Sequence, residues 1–116
     1  MQKHESLRDF VKRKNLQFEK EKSPIPMKDI TRTKKNYFVR EAWTFMPQYN
    51  YDEKVFVVER LRKEEDDKIE YRLGYYIVGK IGRANGKWIW GQFCPIIPKE
   101  DFFKLIDKAK KEKTII

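Results

Sequence analysis

Apolar residues recur at intervals of three and four over residues 6–22, which predicts an amphipathic helix. Its apolar positions are Leu7, Phe10, Val11 and Phe18. Ser6 is the predicted N-cap, and Asn15 is a weak point at which the helix is expected to be vulnerable to a break. The run Ser23-Pro24-Ile25-Pro26 ends the helix because proline lacks a backbone N–H. Residues 23–35 are therefore predicted to form an exposed connector.

From Asn36 onward the apolar period is two, which predicts strands. The predicted strands cover residues 36–46, 54–63, 69–82 and 87–94. Strict alternation in the first strand places Trp43 and Phe45 on one side and Arg40 on the other. The pair Asn85-Gly86 predicts a two-residue hairpin turn in which both residues have positive φ. Short turns between successive strands indicate an antiparallel meander.

A second helix is predicted over residues 98–113, because Pro98 suits its first turn and an apolar stripe follows at helical spacing. The stripe consists of Phe102, Leu105, Ile106 and Ala109. The order α-β-β-β-β-α predicts an α+β fold, a four-stranded antiparallel meander flanked by an N-terminal and a C-terminal helix. We expect both helices on one face of the sheet. The length predicts one domain over residues 1–116, divided into a basic helix and connector (1–35), the sheet (36–96) and the C-terminal helix with its tail (97–116).

The net charge of +9 is concentrated near the N-terminus. Residues 1–40 hold 12 Lys and Arg against 5 Asp and Glu, whereas residues 41–97 hold nine of each sign. Most of the aromatic residues lie in that neutral middle part. Basic charge together with exposed aromatic rings is typical of nucleic-acid-binding surfaces, so a nucleic-acid partner requires the two regions to meet.

The sequence predicts a small nucleic-acid-binding module that is not sequence-specific, with phosphates held by Lys and Arg and bases stacked on sheet aromatics. The N-terminal candidates are Lys12, Arg13, Lys14, Lys34 and Lys35. The sheet face not covered by helices is expected to present Arg72, Tyr76, Lys80 and Lys87, with Arg83 in the adjoining turn.

Two other functions fit the sequence. A two-sided apolar sheet, or the apolar end Ile115-Ile116, also suits a dimer or another protein partner. A metal-dependent nuclease built from Glu41, Asp52 and Glu59 is the third possibility, although ion pairs with neighbouring arginines on the exposed face explain the two glutamates more simply.

Catalytic and cofactor chemistry finds little support in the residue types. The single Cys94 excludes an internal disulfide framework and a cysteine zinc site, and the single His4 excludes the paired-histidine metal motifs. No nucleotide-binding glycine pattern is present, so we expect a binding module rather than an enzyme, with no metal and no cofactor. The absence of a signal-peptide pattern and of a long apolar run predicts a cytoplasmic protein that has no membrane partner.

Overall fold

The protein folds as one five-stranded antiparallel sheet with two helices, and the computed structural model describes residues 4–27, 36–91 and 97–116. The helices are α1 (Leu7–Lys20) and α2 (Lys99–Lys111). The strands are β1 (Ile25–Met27), β2 (Asn36–Gln48), β3 (Tyr51–Lys63), β4 (Ile69–Val78) and β5 (Trp88–Trp90), and they lie in the sheet in chain order. The α+β class, the antiparallel meander and the two terminal helices are confirmed, whereas the strand count of four is wrong.

The two helices pack on opposite faces of the sheet, so the expectation of a shared face is wrong. Phe10 and Phe18 of α1 pack in one cluster with Val55 and Val57 of β3. Leu105 and Ala109 of α2 pack in another with Phe56 and Val58 of the same strand. The centre of β3 is apolar at consecutive positions, as in a strand buried on both faces, so each face needs its own cover. Its burial beneath both helices makes β3 the centre of the molecule.

The additional strand β1 lies inside the segment predicted to be a connector. Ile25 pairs with Phe38 and Met27 pairs with Asn36, which makes β1 a short edge strand. An edge strand tolerates Pro26 because one of its sides needs no ladder hydrogen bond. Residue patterns do not indicate this pairing, because two prolines around one isoleucine are typical of a break.

A bulge in β2 changes which side chains share a face. The register shifts between Arg40 and Ala42, so residues on either side of the shift no longer follow a single alternation. The Arg40 guanidinium lies 3.8 Å from the centre of the Phe18 ring, and the same ring contacts Trp43 and Phe45. Arg40 therefore lies on the α1 side together with the two aromatic residues, contrary to the predicted alternation.

The turn between β4 and β5 also differs from prediction. Asn85 has φ −56° and ψ 123°, Gly86 has φ 77°, and the Ala84 carbonyl accepts a 2.9 Å bond from the Lys87 amide. This is a type II turn at the end of a longer loop, so the predicted turn with two positive φ angles is wrong, although the hairpin exists.

Helix α1 runs without a break through Asn15, whose side-chain oxygen accepts a 2.7 Å bond from Trp43 Nε1. Ser6 caps it as predicted, since its Oγ accepts the Asp9 amide at 3.1 Å.

The C-terminal residues are bound to the α2 face of the sheet. The hydroxyls of Thr44 and Thr114 are 2.7 Å apart, and Arg60 Nη1 donates to the Lys113 carbonyl at 2.7 Å. The Tyr71 hydroxyl bonds the backbone of Ile116. These bonds fix the end of the chain next to α2.

Candidate nucleic-acid interface

Eight of the ten predicted nucleic-acid contacts lie in three places in the structure. Lys12 and Arg13 lie on the solvent side of α1, and Lys80, Arg83 and Lys87 lie in the loop between β4 and β5. Lys14, Arg72 and Tyr76 lie between α1 and the sheet. Lys34 and Lys35 fall outside the described residues.

The outer side of α1 and the residues that follow it form a basic surface. Arg8, Lys12, Lys20 and Lys22 are exposed, and none of them forms an ion pair within the described parts of the chain. Lys12 and Lys20 lie at four-residue spacing on either side of Leu16, whose side chain is 52% exposed. Two acids, Asp9 and Glu19, are also exposed on α1, so the surface keeps an excess of positive charge.

Arg13 is partly neutralised by a neighbour. Its Nε and Nη2 donate to the Glu5 carboxylate at 3.0 Å and 2.9 Å. This bond lowers the pKa of Glu5 and raises the pKa of Arg13, so both side chains stay charged and paired. Arg13 is therefore a weaker phosphate-binding candidate than Lys12.

The β4–β5 loop adds a second basic segment at the start of α1. The Lys80 ammonium is paired with Glu53, which lowers the pKa of Glu53 and raises the pKa of Lys80. Arg83 and Lys87 are exposed and make no ion pair among residues 4–27, 36–91 and 97–116. Arg83 belongs to a single 3₁₀ turn, Gly82–Ala84.

Trp88 joins this loop to α1. Its ring stacks on Phe10 with centres 4.6 Å apart and planes at 15°, and its Nε1 donates to the Glu5 carbonyl at 2.7 Å. Trp88 directly follows Lys87, so the loop's last residues are held beside the first turns of α1. The end of the β4–β5 loop therefore adjoins the N-terminal turns of α1.

Tyr76 is buried and offers no stacking surface, so its predicted exposure is wrong. Only 8% of the residue is exposed, and its ring lies 5.1 Å from Phe10 and 5.0 Å from Trp90. Burial raises the pKa of the Tyr76 hydroxyl to about 12. The reason is the position of α1, which covers the face that was expected to be free.

Arg72 belongs to a charged cluster under α1 that centres on Glu59. The Glu59 carboxylate is completely buried and accepts from Arg40 Nε at 2.5 Å and from Arg72 Nε at 2.6 Å. Arg40 Nη1 also donates to Glu21 at 2.9 Å, and the Arg72 guanidinium lies 4.6 Å from the centre of the Trp90 ring. The pairing of Glu59 with its neighbours occurs in the interior and not on an exposed face.

Gly74 allows Trp90 to lie over β4 next to Arg72. A Cβ at position 74 would be 2.2 Å from Trp90 Cη2, far closer than two carbons approach without displacement. The bare backbone at this position therefore provides the space that the indole fills.

Lys14 is a cation with aromatic neighbours. Its Nζ lies 5.1 Å from the ring centre of Tyr76, 5.7 Å from Phe18 and 5.9 Å from Phe10. Within the described residues it makes no ion pair. Burial lowers the pKa of the Lys14 ammonium because the charged form loses water contacts there.

The carboxylates of the predicted nuclease do not converge. Glu41 bonds Arg62 at 2.9 Å and approaches Arg60, whose guanidinium reaches the chain end on the α2 side. Glu59 points to the α1 side, so the sheet separates the two glutamates. In the part of the chain that the structure describes, no group of three or more His, Cys, Asp or Glu residues is placed to hold a metal ion.

The chain matches no protein-family model, no curated protein and no solved structure. No helix in the described ranges has both the length and the apolar character needed to cross a membrane.

Proposed function

We propose that this protein binds nucleic acid without sequence specificity, through the outer side of α1 and the adjoining β4–β5 loop. The stack of Trp88 on Phe10 is the observation that supports this most, because it places the end of the basic β4–β5 loop next to the first turns of α1. Six exposed cations without an ion pair among the described residues belong to this surface. They are Arg8, Lys12, Lys20, Lys22, Arg83 and Lys87.

The proposed contacts are with phosphates and not with bases. Tyr76, Trp88 and Trp90 pack against α1 or beneath it, so the rings of this face do not form a stacking platform. Exposed lysines and arginines attract phosphates without distinguishing bases, because the sequence information lies in the base edges. Binding of this kind depends strongly on salt through the release of counterions.

Paired variants test which surface makes the contacts. Lys12→Ala/Lys20→Ala removes two exposed charges from α1, and Lys104→Ala/Lys110→Ala is the matched control because it removes two exposed charges from α2. Fluorescence anisotropy of a labelled DNA duplex is measured over a series of salt concentrations. The α1 variant should reduce the slope of log K against log salt by about 1.8, and the control should leave it unchanged. Equal slopes for the two variants would contradict the assignment of the surface.

A second proposal, association of two copies, has support from the other face of the sheet. Tyr71, Leu73 and Ile89 lie on the same face of the sheet as α2, but α2 does not cover them. They are 44%, 39% and 36% exposed. Such an apolar area favours a protein contact. Sedimentation equilibrium of the wild type and of Leu73→Glu tests it. A salt-insensitive dimer that the variant loses supports the proposal, and a monomer at high concentration refutes it.

A further inference from the structure

The charges enclosed between α1 and the sheet do not balance. We define the α1 cluster as Lys14, Glu21, Arg40, Glu59, Arg72 and Tyr76, which contains three cations and two carboxylates. We propose that this cluster binds a phosphate group, held by the Lys14 ammonium, the terminal nitrogens of Arg72 and the Tyr76 hydroxyl. This site is separate from the outer surface of α1.

The hydrogen bonds among the described residues leave these three groups without an acceptor. Glu59 is occupied by the Nε atoms of Arg40 and Arg72. Glu21 accepts from Arg40 Nη1 at 2.9 Å and from Gln17 Nε2 at 2.8 Å. Among residues of the described ranges, the Lys14 ammonium, the Arg72 terminal nitrogens and the Tyr76 hydroxyl have no hydrogen-bond partner.

The Lys14 ammonium and the Arg72 guanidinium lie over the two members of one aromatic pair. Lys14 Nζ lies 5.1 Å from the Tyr76 ring centre, and the Arg72 guanidinium lies 4.6 Å from the Trp90 ring. Tyr76 and Trp90 are themselves in edge contact at 5.0 Å. The side chains of Arg72 and Glu21 are 34% and 36% exposed, which leaves the cluster open to solvent on that side. A small anion therefore has access to donors from both the helix and the sheet.

The energetics favour an anion at this position. A half-buried ammonium loses hydration, and contact with aromatic rings offsets only part of that loss. A phosphate restores the missing partner, and it suits a guanidinium particularly well because its oxygens accept parallel N–H bonds. The Tyr76 hydroxyl stays protonated at neutral pH and so remains a donor. A carboxylate is the poorer match, because it offers only two oxygens to three donor groups.

Isothermal titration with inorganic phosphate at constant ionic strength tests the site. Lys14→Met removes the charge and keeps an unbranched apolar side chain, and Lys104→Met is the matched control because it removes an exposed helical charge from α2, outside both the cluster and the proposed nucleic-acid surface. We expect Lys14→Met to bind phosphate at least about tenfold more weakly, since a charge-assisted bond is lost, and Lys104→Met to bind as the wild type does. Lys14→Arg, which keeps the charge, should retain most of the affinity.

Thermal melting separates a lost site from a lost fold. In buffer without phosphate, Lys14→Met should melt at the same temperature as the wild type or higher, because it no longer buries a charge. Phosphate should raise the melting temperature of the wild type and of Lys104→Met, and raise that of Lys14→Met much less. Equal stabilisation of all three proteins by phosphate would overturn the proposal.

The source of the phosphate is distinguished by three probes. Inorganic phosphate, a nucleoside monophosphate and an oligonucleotide with or without a 5′-phosphate are titrated into the wild type. Tighter binding of the phosphorylated oligonucleotide, lost in Lys14→Met, identifies a nucleic-acid end, and preference for inorganic phosphate identifies the free ion. Failure of every phosphate probe to bind would overturn this site. The proposed function would remain testable by the Lys12 and Lys20 variants, which leave the cluster intact.

Discussion

Glu59 is the charged side chain whose replacement should destabilise the protein most. Glu59→Gln keeps the size of the side chain, but it removes the charge that two arginines share in the interior. The amide nitrogen of glutamine is a donor, so one of the two guanidinium groups would face another donor. Removing one member of a buried ion pair costs about 3 to 5 kcal/mol, because the remaining charges are left without compensation. That is a large share of the roughly 5 to 15 kcal/mol that stabilises a domain.

Urea unfolding followed by circular dichroism measures this loss. The unfolding midpoint should fall by about 2 M for Glu59→Gln, given a slope of roughly 1 to 3 kcal/mol per molar urea. Glu41→Gln is the matched control, since Glu41 also pairs with two arginines but is 24% exposed, whereas Glu59 is fully buried. The control should shift the midpoint by less than about 0.5 M. Equal shifts for the two variants would refute the conclusion that burial determines the importance of this carboxylate.

Two further predictions concern the aromatic residues near Glu59. The folded protein keeps the Tyr76 proton to about pH 12, whereas the unfolded chain loses it near 10, so stability should fall by up to about 2 kcal/mol over this range. Tyr76→Phe should abolish this loss of stability at alkaline pH, which urea unfolding measures. Tyr49→Phe, at an exposed position, should leave the loss unchanged. Gly74→Ala should displace Trp90 and destabilise the fold by about 1 to 3 kcal/mol. If Gly74→Ala left both the tryptophan emission spectrum and the urea unfolding midpoint unchanged, this prediction would be contradicted.

The two helices and the sheet class were predictable because apolar periodicity reports directly on burial. The apolar run of β3 also contained the information that both of its faces are buried, although both helices were expected on one face. The placement of α1 decides which residues are free, because it buries Tyr76 and leaves Lys12 in solvent. Which of the two apolar faces a helix covers depends on the chain connections and on packing, and local sequence patterns do not indicate either.

The Glu59 cluster was less predictable for a different reason. The register places Glu59 directly opposite Arg72, and alternation within β4 put Arg72 and Tyr76 on one face as predicted. Arg40 arrives at the same carboxylate only because the bulge in β2 reverses the alternation. A bulge adds one residue to a strand without a distinctive sequence signal. Residues on the two sides of the bulge therefore no longer lie on the sheet faces that a single alternation predicts. Likewise, the two prolines of residues 23–26 indicated a break, so the edge strand β1 was not predicted.

The most direct test of the proposed function is the salt dependence of nucleic-acid binding by the unmodified protein. Anisotropy of a labelled DNA duplex is measured between 50 and 200 mM salt. If the six exposed cations on the outer side of α1, just after it and in the β4–β5 loop contact phosphates, affinity should fall about 10³-fold over this range. Absence of binding at the lowest salt concentration, or an affinity that does not change with salt, would contradict the proposal.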